Sequence, residues 1–358
     1  MVSNKLKKIA EERNNPCVTI SLNTHRTHPD SLQDEILLKK LLREAKERVI
    51  SGYEKKLIAP LLKRIEMVAN KINRDYNLDS LHIFLSNDTE EIVKLPVPTV
   101  ENVVQIADRF NMRTLIKAYN RTDEYLILLL SQGGVSLYHA VNDKITEEIH
   151  NEGFPFPANP HIVTDHEKRS DAELMDDMVR EYYNKVDKAL VKIYNETEFP
   201  CVVVCTELNF SRLMEVADKP EIYLGFEPVN YNDISVHNLG RQGWKTIQEY
   251  QRLICAVAIA EIEQAVPQGK VLTDLQEIYQ AAIDGRGELL ISREDFVQPV
   301  SMIGERTFEI VSDKNTDAII DDITGVIAWE VLSKNGRVFF TMQEQLKKIG
   351  NIALKVRY

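Results

Sequence analysis

The fold of this chain is decided by residues 125–141, YLILLLSQGGVSLYHAV, where two apolar-rich runs flank a pair of glycines. Tyr125–Leu130 is an unbroken apolar run of the kind found in buried strands. Ser131-Gln132-Gly133-Gly134 supplies the small, flexible residues of a tight turn, and Val135–Val141 then returns as the second run. The spacing predicts a β-hairpin whose first strand is buried.

The residues after this hairpin predict a helix and one more strand. Ser170-Asp171-Ala172-Glu173 is a capping box, and apolar residues then recur at helical spacing from Leu174 to Ile193. Pro200 precedes the short apolar strand Cys201–Thr206. A hairpin followed by a helix and a strand indicates an α/β unit with a mixed sheet.

The flanking segments also alternate between helices and strands. On the N-terminal side we predict strands at Cys17–Leu22 and Leu81–Leu85, and helices at Gln33–Ile50 and from Pro60. Leu239–Gly243 is interpreted as a linker. We therefore predict an α/β protein of three domains, at residues 1–120, 121–240 and 241–358. The elements predicted in the last domain are helices at Trp244–Val266, Thr273–Gly285 and from Thr316 or Asp317 to Leu332, and strands at Leu289–Ile291, Arg337–Thr341 and Ile352–Val356.

The composition excludes several classes of protein. Hydrophobic residues make up 44% and charged residues 28%, a globular balance that rules out collagen-like, disordered and coiled-coil chains. The longest apolar run, Leu253–Ala260, has eight residues, whereas a membrane-spanning helix needs about 20. No apolar segment follows the N-terminal lysines, and four scattered cysteines do not make a disulfide framework. We expect a cytoplasmic protein without membrane contact.

Charge is distributed unevenly within a net charge of −11. Residues 1–120 contain 20 basic and 16 acidic side chains (+4), residues 121–240 contain 10 and 22 (−12), and residues 241–358 contain 14 and 17 (−3). A basic first third and an acidic middle indicate different neighbours for the two parts. The alternative is a drift in composition that serves solubility alone.

The usual motifs of nucleotide-dependent enzymes and hydrolases are missing. Gly285-Arg286-Gly287 follows a predicted helix and lacks the third glycine of a dinucleotide fingerprint, so we interpret it as a helix cap and turn. No Gly-x-Ser-x-Gly elbow occurs. Cys201 and Cys205 lie about 13 Å apart along a predicted strand, at ~3.3 Å per residue, which is too far to share a zinc ion. We predict buried structural thiols, no metal site and no cofactor.

One candidate RNA-binding stretch lies near the N-terminus. His25-Arg26-Thr27-His28 forms a predicted loop ahead of a basic helix that carries Lys39, Lys40 and Arg43. Arginine binds phosphate through a fork of N–H groups, and histidine can stack on an unpaired base. The alternative is an ordinary solvated loop.

A second candidate stretch is the loop rich in proline and histidine that precedes the long helix. It contains His161, His166, Lys168 and Arg169. We interpret it as a flexible loop that meets RNA or protein. A metal or nuclease centre is the alternative, but the spacing matches no strong zinc pattern.

Several of these segments, taken in order, resemble the bacterial archaeo-eukaryotic release factor-like family. Its relatives are Pelota, the eukaryotic peptide release factor and the hibernation factor Balon. The match extends over nearly the whole chain. The residues that carry it are Val18–Thr27 with Gln33-Asp34 and Leu38–Leu42, Arg109–Leu115, Leu128–Ser131 with Val135–Tyr138, Ala281–Leu290, and Ile352–Tyr358.

The resemblance implies a three-domain release-factor-like architecture. Its parts are an α/β N-terminal domain that approaches the decoding centre, an RNase-H-like middle domain, and a ribosomal-protein-like α/β/α C-terminal domain that binds a protein partner or rRNA. True release factors carry Gly-Gly-Gln between the hairpin and the long helix, where the freedom of glycine lets the loop approach the ester. Here Asn142–Arg169 contains no glycine pair. Gln132-Gly133-Gly134 has the residues of Gly-Gly-Gln in reverse order, and it lies in the hairpin turn.

From this departure we expect a ribosome-associated factor without hydrolytic activity, and not an enzyme. It would bind rRNA or tRNA near the A site in hibernation, stress or rescue. One alternative is a protein-interaction scaffold that reuses the fold. The other is an RNA-processing enzyme, but a nuclease of the RNase-H type needs clustered carboxylates on its strands, and Tyr125–Leu130 and Val135–Tyr138 offer none.

Overall fold

The computed structural model describes residues 4–25, 31–73, 77–96, 98–99, 101–119, 124–159, 172–228, 235–311 and 319–358. The chain forms two compact units: residues 1–121 together with 255–358, and residues 122–254. Both units combine helices with sheets, so the predicted α/β class is confirmed. The division into three domains stays a prediction. The helices are α1 (Asn4–Glu11), α2 (Ser31–Gly52), α3 (Ala59–Met67), α4 (Arg113–Tyr119), α5 (Ala172–Thr197), α6 (Glu207–Val216), α7 (Val236–Ala265), α8 (Leu275–Ile283) and α9 (Ile323–Ser333).

The N-terminal part of the first unit is an antiparallel sheet of order β3-β2-β1-β4. Alternate residues of β1, including Val18 and Ile20, point to one face because side chains alternate along a strand. That face packs against the apolar stripes of α2 and α3 and forms a buried cluster. The strands are β1 (Cys17–Asn23), β2 (Ser80–Leu85), β3 (Glu90–Leu95) and β4 (Val103–Ala107).

The other face of this sheet packs against the C-terminal part of the same unit. Cys17 and Phe84 join a buried cluster with α8, α9 and the second sheet, whose order is β10-β16-β11-β15. A small sheet, β13-β12-β14, completes the unit. The strands are β10 (Val271–Leu272), β11 (Gly287–Arg293), β12 (Val300–Met302), β13 (Phe308–Ile310), β14 (Ile319–Ile320), β15 (Arg337–Thr341) and β16 (Ile352–Val356).

The second unit is built on the hairpin that the sequence predicted. Its sheet has the order β7-β6-β5-β8-β9, in which β5, β6 and β7 are antiparallel and β8 and β9 run parallel to β5. Helices α5 and α6 cover one face. The mixed sheet that the sequence predicted for this part of the chain is confirmed. The strands are β5 (Glu124–Ser131), β6 (Gly134–Val141), β7 (Lys144–Glu148), β8 (Cys201–Cys205) and β9 (Tyr223–Pro228).

The linker predicted at Leu239–Gly243 is wrong, because these residues lie inside α7. Leu239 is buried against the second face of the β5–β9 sheet. A Cβ atom on Gly240 would lie 2.5 Å from the carbonyl oxygen of Asp143, and one on Gly243 would lie 2.9 Å from Cδ1 of Ile127. The glycines therefore allow the helix to approach the sheet closely. The helix predicted from Thr316 or Asp317 begins later, at Ile323.

The thiols predicted to be buried are buried. Cys201 and Cys205 are free and lie in the core of the second unit. Burial raises the pKa of the Cys205 thiol to about 12 and raises that of Cys201 as well. Both stay protonated at neutral pH, and a protonated thiol is a poor nucleophile and metal ligand.

Candidate RNA-contacting site

The exposed face of α2 carries three of the basic residues that the sequence singled out. Lys39, Lys40 and Arg43 are all exposed. Lys39 pairs with Glu35, one turn earlier, at 2.7 Å. Lys40 and Arg43 make no ion pair within the described ranges. Since an exposed i, i+4 pair contributes only about 0.3–0.5 kcal/mol, Lys39 can also exchange its partner for a phosphate.

Three further cations lie on the same helical layer, and the sequence analysis did not identify them. Lys55 and Lys56 lie in the turn between α2 and α3, and Lys63 lies on α3. All three are exposed, and none is ion-paired in the part of the chain that the structure describes. The helices are tied to each other by the 2.7 Å pair between Lys46 and Glu66. We call Lys40, Arg43, Lys55, Lys56 and Lys63 the basic helical face.

The turn between α2 and α3 is held by hydrogen bonds. The backbone N–H of Leu57 donates to the carbonyl of Glu54 at 2.9 Å. The side chain of Asn87, from the turn after β2, donates to the carbonyl of Leu57 at 3.0 Å and accepts from the N–H of Leu61 at 3.3 Å. Ile58 is fully buried beside them. A fixed turn presents its lysines with less loss of conformational entropy on binding.

His25 lies at the other end of α2 and is fixed by Asp34. Nδ1 of His25 lies 2.8 Å from Oδ1 of Asp34, and the backbone N–H of His25 donates to Oδ2 at 2.8 Å. Asp34 is buried, and Asn77 also donates to it at 3.4 Å. His25 itself remains exposed. Arg26, Thr27 and His28 lie outside the described residues.

The inner side of α2 is anchored to the C-terminal part of the unit. Arg48 donates to the carbonyl of Val104 at 2.6 Å and to both carboxylate oxygens of Asp321, at 3.0 and 3.3 Å. Oδ2 of Asp321 also accepts from the backbone N–H of Ile106 at 2.9 Å. Asp321 is buried, so this ion pair holds α2 and β4 against the segment before α9.

The second candidate loop lies largely beyond the described residues, since His161, His166, Lys168 and Arg169 all fall outside them. Its beginning returns to the hairpin turn. The N–H of Val135 donates to the carbonyl of Phe156 at 3.0 Å, and the N–H of Asn159 donates to the carbonyl of Gln132 at 2.8 Å. Gly134 has φ +139°, a conformation suited to glycine. Gly133 and Gly134 therefore serve the hairpin.

Neither a metal-binding cluster nor a membrane-spanning helix occurs among the described residues. In those ranges, no group of three or more His, Cys, Asp or Glu side chains is placed to hold a metal ion. None of the helices there combines the length and the hydropathy that a bilayer crossing requires.

Residues 124–286 match the family model of bacterial archaeo-eukaryotic release factor family 3. The predicted family resemblance is confirmed. No match was found among curated proteins. Among solved structures, this chain is similar to an archaeal translation termination factor, aRF1, at 13% identity over 99% of this chain and 95% of that one, with a TM-score of 0.26.

Two Pelota structures are also similar to this chain. Pelota of Archaeoglobus fulgidus is 14% identical over 78% of this chain and 79% of that one, with a TM-score of 0.35. An archaeal Pelota, solved as part of a ribosome-bound model with ABCE1, is 13% identical over 96% and 90%, with a TM-score of 0.44.

Proposed function

We propose that this release-factor-like chain is a ribosome-associated factor that contacts rRNA through the basic helical face. The observation that carries the proposal is the set of five exposed cations on α2, α3 and their turn, in a chain whose net charge is −11. Cations without protein partners can neutralise phosphates and release the condensed counterions, which favours binding. The family match over residues 124–286 supports a role in translation.

The finer proposal is that the factor binds near the A site in hibernation, stress or rescue, and that it does not hydrolyse peptidyl-tRNA. Its support is the missing Gly-Gly-Gln between β6 and α5. A loop that activates water against an ester needs close approach of its backbone, which paired glycines permit. Lys39, His25 and the residues of the second candidate loop would add contacts to rRNA or a tRNA end, and the C-terminal part of the chain would bind a protein partner.

Co-sedimentation with bacterial 70S ribosomes across a salt series tests the contact surface. Each phosphate contact that is lost should reduce the slope of log affinity against log salt by about 0.7–0.9. The variant Lys40→Glu/Arg43→Glu/Lys55→Glu/Lys56→Glu should therefore bind more than ~100-fold more weakly at low salt, with a much shallower slope.

The control makes the same kind of substitution elsewhere, at two positions instead of four, and so carries half of the charge change. Lys188 and Lys192 are exposed on α5, and neither is ion-paired among the described residues. Lys188→Glu/Lys192→Glu should leave the affinity and the salt slope nearly unchanged. An equal loss of binding free energy per substituted cation in the two variants would mean that net charge, and not the basic helical face, controls binding. Unchanged binding of the fourfold variant would remove this face from the proposal.

The absence of enzymatic activity needs its own measurement. Purified protein should neither cleave RNA with magnesium or manganese nor release peptide from a programmed ribosome. RNA cleavage would favour an RNA-processing enzyme instead, and peptide release would favour a release factor. Either result would direct attention to the second candidate loop.

A further inference from the structure

A cleft of about 300 Å³ opens in the first unit, away from the basic helical face. Its walls come from the end of β1, from β4 with the residues before it, from α4, and from the segments that follow β11 and precede α9. Such a volume is at the small end of the range for ligand sites. The lining side chains are Ser21, Pro98, Thr99, Glu101, Val103, Gln105, Asn111, Arg113, Thr114, Lys117, Glu294, Asp295, Val297, Asp322 and Phe340.

The cleft is fixed in shape by Arg113. Its guanidinium donates to the carbonyls of Arg293 at 2.7 Å and Glu294 at 3.0 Å and lies 4.6 Å from the ring centre of Phe340. It also donates to the hydroxyl of Thr324 and lies 3.5 Å from Oδ2 of Asp322. The guanidinium of Arg113 is therefore occupied by groups of the protein itself and is not free to bind an anion.

The other charged side chains of the lining differ in whether they have a partner within the protein. Lys117 donates to Oε2 of Glu294 at 2.7 Å, and Asp295 is paired with Arg293 at 2.7 Å. Asp322 caps α9 and accepts from Asn111 at 3.2 Å. Glu101 has no ion pair in the described part of the chain. Counted together, two cations and four carboxylates line the cleft, so its lining carries a formal charge of −2.

Two uncharged polar side chains in the lining have no hydrogen bond within the described ranges. They are the amide of Gln105 and the hydroxyl of Thr114, and both are half-buried. A half-buried amide without a partner is available to a ligand. Val103, Val297 and Pro98 add apolar surface. The open groups are thus an amide and a hydroxyl, each able to accept or to donate a hydrogen bond, and one carboxylate, beside an apolar wall.

We propose that this cleft binds a primary alkylammonium group, with Glu101 as its counter-ion, the oxygen of Gln105 as an acceptor, and the apolar wall against its carbon chain. The sign of the lining charge excludes a phosphate ligand, since a dianion would meet four carboxylates and two cations that are already paired. The ammonium group would come from a polyamine or from a lysine side chain of another protein. This site is separate from the proposed rRNA contact.

Isothermal titration of the full chain tests the site with two probes, 1,4-diaminobutane and Nα-acetyl-lysine methylamide. We expect saturable binding of at least one probe, and at least ~10-fold weaker binding to Glu101→Gln. Glu305→Gln changes an exposed glutamate of the same unit that does not line the cleft, and it should bind like the wild type. Binding of the diamine identifies a polyamine source, and binding of the lysine derivative alone identifies a protein side chain.

The variant Lys117→Gln tests the sign of the charge on the ligand. Removing this cation frees Glu294 and makes the lining more negative, so the affinity for an ammonium probe should rise about threefold. An anionic or neutral ligand would not show this gain. No saturable binding of either probe, an unchanged affinity in Glu101→Gln, or weaker binding in Lys117→Gln would each overturn the proposal.

Discussion

At the scale of single residues, His82 shows how a strand residue can be polar and fully buried. It lies on β2 directly opposite Ser21 of β1. Nδ1 lies 2.9 Å from the hydroxyl of Ser21, and Nε2 lies 2.9 Å from that of Ser80. Both ring nitrogens are thus satisfied without a charge. Burial lowers the pKa of His82 to about 4, so the ring is neutral in the folded chain.

This burial predicts a loss of stability in mild acid. In the unfolded chain His82 takes up a proton near pH 6.5, but in the folded chain it does so only near pH 4. The contribution of neutral, buried His82 to the free energy of unfolding is therefore complete above pH 6.5. It declines as the pH falls towards 4, by about 3 kcal/mol in all. Urea unfolding at a series of pH values measures it, in a Trp244→Phe background where Trp329 reports the first unit.

The comparison variant is His82→Gln, which keeps a donor and an acceptor but does not titrate. Between pH 6.5 and 4 its free energy of unfolding should fall less steeply than that of the parent, by about 1.4 kcal/mol per pH unit. Identical slopes in the two proteins would show that other groups control the acid response.

At the scale of elements, α7 shows where sequence reasoning fails. Two glycines within five residues favour a loop when only local preference is considered, since each costs about 1 kcal/mol in a helix. Here close packing on the sheet outweighs that cost, and nothing in the sequence near Gly240 marks the partner strand. The hairpin at 125–141 and the strand at 201–206 were predictable because their apolar runs are continuous and bounded by turn residues.

The packing of α7 predicts that Gly240→Ala destabilises the second unit. Alanine gains helix propensity, but its Cβ would lie 2.5 Å from a backbone oxygen in the turn after β6. That turn is also held by the hydroxyl of Tyr125, which donates to the carbonyl of Asn142 at 2.8 Å. We expect a net loss of roughly 2 kcal/mol in the free energy of unfolding, measured by urea.

Two companion variants separate packing from propensity. Gly243→Ala should cost less than Gly240→Ala, because its contacts are with the side chains of Ile127 and Tyr125, which can shift. Gln248→Ala, at an exposed position of the same helix, should be neutral or slightly stabilising. Equal effects at Gly240 and Gln248 would mean that the backbone contact does not matter.

The basic helical face was only partly predictable for a related reason. Lys39, Lys40 and Arg43 stand close together in the sequence and were identified as a group. Lys55, Lys56 and Lys63 join them only because α3 folds back along α2, which the 2.7 Å pair between Lys46 and Glu66 records. Which lysines lack acidic partners depends on tertiary contacts that local spacing does not show.

At the scale of the whole molecule, the first and last thirds of the chain form one unit. Arg48 and Asp321 are 273 positions apart in the sequence, yet their side chains are hydrogen-bonded. Sequence patterns predicted strands in both segments but gave no indication that the two segments would share a core. The cluster that contains Phe84, Ile278 and Ile327 is shared by both segments.

Asp321→Asn should therefore destabilise the first unit as a whole. The substitution removes the buried counter-ion of Arg48 and leaves only the exposed Glu44, 4.0 Å away, which we expect to cost roughly 2–4 kcal/mol, reduced because Arg48 is partly exposed. Asp284→Asn removes a comparable but exposed pair with Arg306 and should cost less than about 1 kcal/mol. Thermal unfolding in the Trp244→Phe background, followed by Trp329 fluorescence, compares them, and similar losses would contradict the importance of the junction.

The shared unit has a consequence for synthesis. A nascent chain emerges from its N-terminus, and domains generally fold as they are completed. The helix-covered face of the first sheet needs only residues 18–106, but its other face waits for partners beyond residue 275. The second unit, residues 122–254, is complete before then. Newly made chains should therefore pass through a stage in which the middle is native while Ile9, Cys17 and Phe84 still face water or a chaperone.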